Sequence, residues 1–158
     1  MAAPSGAYNL IRASVSTSTA ITVNQVLVPV VTAAEFTRAW CNQDSVTTTN
    51  QTRIQLNRNS TACTVTSTAA SPLANGMQAS KCVNGASATG ITASAEGSVT
   101  ATVWSEGFNI VNGILYLPVP EARFLQVGSA AGFVALKFPG APAAANYTTG
   151  VEWLEYAA

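Results

Sequence analysis

Hydrophobic residues along this chain recur at every second position rather than every third or fourth, which constrains it to strands with one buried face. Ala20 to Asn24 sets Ile21 and Val23 on one face. Thr52 to Arg58 turns Ile54 and Leu56 inward and Arg53, Gln55 and Asn57 outward. Ala62 to Thr68 continues the habit with Cys63 and Val65, and the turn residues Asn57 to Thr61 between these two segments predict a hairpin. Ile91 to Ala95 and Ser98 to Trp104 read as a second pair around Glu96-Gly97, with Val99, Ala101 and Val103 on one face.

Phe108 to Leu117 carries Asn112-Gly113 between two apolar tetrads, the pattern of a type I′ hairpin. Asn75-Gly76 and Asn84-Gly85 mark further turns. Strands follow at Arg123 to Val127, Phe133 to Phe138 and Gly150 to Tyr156, with turns at Gly128 to Gly132 and Pro139 to Pro142. Pro118 and Pro120 put their segment at a sheet edge or on a crossing between sheets. One helix is predicted over residues 33–41. Thr32 and Glu35 have capping-box spacing, and Phe36 and Trp40 fall four apart. The expected fold is all-β, a β-sandwich or jelly-roll-like barrel with that one short helix. It forms a single domain over 1–158, with an extended N-terminal arm at 1–11 and a flexible loop at about 66–89.

Of the 158 residues only 9% are charged, and seven basic and seven acidic groups cancel. An average soluble domain carries about 25% charged residues. The surface must therefore be Thr, Ser, Asn, Gln and Ala, neutral groups that suit contact with other protein. Seven scattered cations make no basic stripe for nucleic acid. No apolar run approaches the ~20 residues of a membrane helix. The opening Met1-Ala-Ala-Pro-Ser-Gly does not read as a signal peptide, and the expected site of synthesis is a cytoplasm. Cys41, Cys63 and Cys82 then read as buried thiols, with a Cys63–Cys82 disulfide as the alternative.

The chain has no histidine, which removes the commonest general base and metal ligand. Asp44, Glu35, Glu96, Glu106, Glu121, Glu152 and Glu155 could supply a glycosidase-like pair, but none lies in a recognisable motif. Asn42-Gln-Asp44 is too poor in acids for calcium, and Gly128 to Gly132 lacks the lysine of a phosphate loop. A Lys–Asn isopeptide bond at Lys81 or Lys137 has nothing to recommend it. The triplets at Asn50, Asn59 and Asn146 read as chance matches to the glycosylation pattern. No catalytic, cofactor or metal residue is assigned. The aromatics Trp40, Trp104, Trp153, Tyr116, Tyr147 and Tyr156 leave open a sugar-binding platform; core or interface burial is the commoner use.

In composition and style the chain resembles structural proteins of tailed-bacteriophage virions, above all capsid decoration (cement) proteins. The run Ala122 to Phe138 looks like the strand–turn–strand segments frequent in them. The resemblance implies a virion protein that associates with itself, often as a trimer, and clamps a major capsid protein. The alternatives are a fibre, spike or adhesin module that binds carbohydrate or a receptor, and a coat or tail-tube subunit.

Overall fold

A computed structural model describes residues 4–45 and 49–157 of the chain. Twelve strands form two antiparallel sheets packed face to face, without a closed barrel. In chain order they are β1 (Gly6–Thr17), β2 (Ile21–Leu27), β3 (Thr32–Gln43), β4 (Gln51–Asn59), β5 (Thr64–Ser67) and β6 (Ser71–Pro72). Then come β7 (Gly90–Ala95), β8 (Val99–Asn109), β9 (Ile114–Tyr116), β10 (Phe124–Val127), β11 (Phe133–Phe138) and β12 (Ala145–Ala157). The first sheet runs β10-β3-β12-β1-β6, with β9 also on β3; the second runs β5-β7-β2-β11-β4-β8. The predicted all-β sandwich is the observed one.

The chain shuttles between the sheets. Among the described strands, no two that follow each other in sequence pair with one another. This corrects three expected hairpins. β4 and β5 lie in one sheet but pair with other strands, and so do β7 and β8. At Asn112-Gly113 the chain leaves β8 of the second sheet and enters β9 of the first. A type I′ turn needs positive φ at both central residues. Here Gly113 has φ 65° and Asn112 does not join it. A side chain at Gly113 would strike Asn42 and the Cys41 carbonyl, so glycine serves close approach to β3.

The predicted helix at 33–41 is instead part of β3. Thr32, Ala34 and Phe36 are buried, then Ala39 and Cys41; the alternation is reset where the register with β12 shifts near Thr37. Capping-box spacing was outweighed by aromatic and β-branched residues that fit a strand between two neighbours. Glu35 does not cap; it accepts from Arg123 and Tyr156.

The N-terminal segment is no free arm from Gly6 onward: β1 pairs with β12 along nearly its whole length. Residues 1–3 lie outside the described residues. Pro118 and Pro120 lie where expected, at an edge. They interrupt the pairing along β3 between β9 and β10, with a 3-10 turn at Pro120–Ala122.

The core fills with Trp153, Tyr147, Phe36, Phe138, Leu10, Ile54 and Leu56. Phe36 stacks on Phe124 at 5.7 Å, and Trp153 sits 6.1 Å from Phe36. All three cysteines are buried free thiols. Cys63 accepts from the Gly97 amide at 3.2 Å and donates to Thr22 Oγ1, so the sulfur is part of a polar network rather than a bridge.

Candidate functional site

The sandwich has two flanks, and the chain closes one of them. Residues 66–89, expected as a loop, lie along the β1/β5 side. Leu73 N donates to Ala7 O, Tyr8 Oη to Gln78 O, and Val65 N to Ala86 O. Glu155, buried on β12, is the main anchor. Its carboxylate accepts from Ser80 Oγ, from the Lys81 amide at 3.0 Å and from Trp153 Nε1 at 3.0 Å. Burial and the neighbouring Glu155 push the Cys82 thiol well above its ordinary pKa.

The other flank is open. There β8 forms the edge of the second sheet, and β9, the 3-10 turn and β10 form a broken edge along β3 of the first. Two contacts tie the sheets together on this flank: Trp104 of β8 lies 5.1 Å from Tyr116 of β9, and Arg58 of β4 donates to Leu125 O at 3.0 Å over the Phe124 ring. The stretch 115–127 carries Leu115, Leu117, Val119, Leu125 and Val127 exposed. Leu117 is 65% exposed and Val119 63%. Val30 and Val31, in the β2–β3 turn beside Gly128, extend this apolar rim.

β8 is stranger still. Of its eleven residues, Phe108 alone is buried, and among the described residues it pairs only with β4. Skipped positions in its register at Val103 and near Thr100 mark two bulges.

The carboxylates considered for catalysis are dispersed. Glu35 meets Arg123, Glu152 meets Arg38, and Glu155 sits in its own buried network. Glu96 bonds Lys137 at 2.8 Å and receives the Thr22 amide and hydroxyl. Burial alone would raise the Glu96 carboxyl, but the bonds from Lys137 and Thr22 outweigh it and hold the pKa below its ordinary value. Burial pushes the Cys41 thiol up to about 12, so it stays protonated near neutral pH. Among the described residues no three His, Cys, Asp or Glu side chains gather as a metal site.

Of the aromatics, Trp153 and Tyr147 are core. Trp40 lies on the outer face of the first sheet, over Gly150, with the Arg38 guanidinium 5.0 Å from its ring centre. It lines an open cleft of about 320 Å³ with Asn42, Asn112 and Leu115. Sequence reading had found these residues singly. It missed the rim, because Leu115, Leu117 and Leu125 look like ordinary strand positions until β9 and β10 prove to be edges.

No helix of the described residues is long and apolar enough to cross a membrane. No protein-family model, curated protein or solved structure matches this chain.

Proposed function

We propose that the protein is a structural assembly subunit, and that in its setting it is a virion component that docks on a capsid lattice as a decoration protein. The apolar rim at 115–127 carries this reading. Five large aliphatic side chains stand exposed on a stretch that folds as a sheet edge. Large apolar side chains left exposed together on one sheet edge mark contact with other protein. Support also comes from charge. With zero net charge and few ions, the surface meets a neighbour at little desolvation cost. The capsid setting rests on the resemblance in composition and style.

The test is mass measurement, alone and with purified particles, for the natural chain and a Leu117→Lys/Val119→Lys variant. The expected result is binding to particles by the natural chain and its loss in the variant. A chain that binds no assembly, or a variant that binds as well as the natural chain, overturns the reading.

A second reading has its own observation. The cleft at Trp40 joins an aromatic ring to Arg38, Asn42 and Asn112, groups that suit a sugar hydroxyl array. It predicts that oligosaccharides perturb Trp40 fluorescence, and that Trp40→Ala abolishes their binding.

A further inference from the structure

We infer that β8 is a self-recognition strand: it pairs antiparallel with β8 of a second copy, about a twofold axis, so that the second sheets of two molecules become one. This rests on the assembly reading above and names the partner. An edge strand offers unpaired N–H and C=O groups along its whole length. Proteins commonly protect such edges with lysine, proline, bulges, inward-pointing charge or covering chain, and of these β8 has only its two bulges and Glu106. From 99 to 109 there is no proline and no lysine, and the one ionised side chain is Glu106. Both faces of β8 are largely bare as well, so in a single molecule the strand gains little from burial. Strand addition from a partner supplies the missing ladder.

Three features commit the second place to a copy of this chain. An antiparallel twofold contact is isologous, so a strand that is its own complement needs no other protein. The bulge at Val103 disrupts pairing with a regular strand, but near a twofold axis it faces its own mate. Charge selects the register. Glu106 is exposed and has no hydrogen bond or ion pair among the described residues. Ala101 and Glu106 share the inner face: Ala101 pairs with Arg58, whose guanidinium lies over Phe124 of the opposite sheet, and Glu106 pairs with the buried Ile54. A ladder that sets Ala101 opposite Glu106 of the other copy, and Thr102 opposite Ser105, puts Glu106 in one row with Arg58. Two strand spacings, about 10 Å, separate their backbones. Arginine and glutamate together span that gap across the small methyl of Ala101. The symmetry makes the pair twice.

The experiment is sedimentation of the purified full chain over a concentration series, with hydrogen exchange across 99–109. The natural chain is expected as a dimer, or an even-numbered assembly of dimers, with protection of 99–109 that grows with concentration. Glu106→Arg and Arg58→Glu should each weaken association by about tenfold or more, since each places like charges in two symmetric rows. The two together in one chain should restore it. Thr100→Lys, at an exposed position, guards against misfolding and should also weaken it; Leu117→Lys should leave it unchanged. A monomer at high concentration, a dimer with unprotected 99–109, or a double variant no better than the singles overturns the inference. A monomer that still binds particles through the rim defeats the self-pairing alone and leaves the assembly reading intact.

Discussion

On one flank of the sandwich the chain from Thr66 to Thr89 lies along the β1 and β5 edges, held by Glu155, Tyr8 and the backbone of Ala7 and Val65. On the other, β8 and the rim at 115–127 carry no such cover among the described residues. Both flanks face the same problem, an unpaired edge beside apolar side chains. The first is solved within the molecule by a Ser/Ala-rich segment, and the second is not covered by any described residue. On the proposed reading, the difference separates what stabilises the fold from what recruits a neighbour.

That separation can be broken by measurement. Trp153→Ala removes the largest buried side chain of β12 and should cost about 3–5 kcal/mol in urea unfolding. Glu155→Ala strands the Lys81 amide and the Trp153 indole N–H. It should cost about 1–3 kcal/mol and speed hydrogen exchange at 66–89, while 99–109 exchanges as before. If 99–109 loosens equally, the flanks are not independent.

The Glu96–Lys137 pair should contribute no more than about 1 kcal/mol, being partly exposed. Its sign with pH is definite. The folded carboxyl has a pKa below its ordinary value. Its contribution is therefore present above the unfolded value of about 4.3 and fades as pH falls through the lower folded value. Glu96→Gln should be less stable than the natural chain at pH 7, and the gap should close as pH falls through the lowered folded value. Smallest is Thr100→Lys, which should shift the stability of the isolated monomer by within about 0.5 kcal/mol. A loss there as large as that of Glu155→Ala would mean β8 already contributes to the monomer core.

Strand content was largely legible because alternation of apolar and polar residues is a local property. Ile54, Leu56, Cys63 and Val65 are buried as the pattern requires. Partners were not legible, since among the described strands pairing is never between neighbours in sequence. Asn112-Gly113 forms a turn, yet the turn carries the chain across the sandwich. In β3 a capping-box spacing and the Phe36/Trp40 interval imitated a helix, although one of these rings is core and the other lies on the outer face. The contribution of Glu155 was hidden because its partners, Ser80 and Lys81, lie more than seventy residues away.

The placement of β12 between β1 and β3 bears on kinetics. Nearly every ladder must close a long loop before it gains anything, which is the circumstance that slows β-proteins to milliseconds or seconds. The first sheet cannot close until Ala145 to Ala157 is present, because β12 joins β1 to β3, whereas every strand of the second sheet lies within residues 21–138. Refolding should accordingly be slow, and β8, an edge strand with a single buried residue, should be the last segment to gain protection.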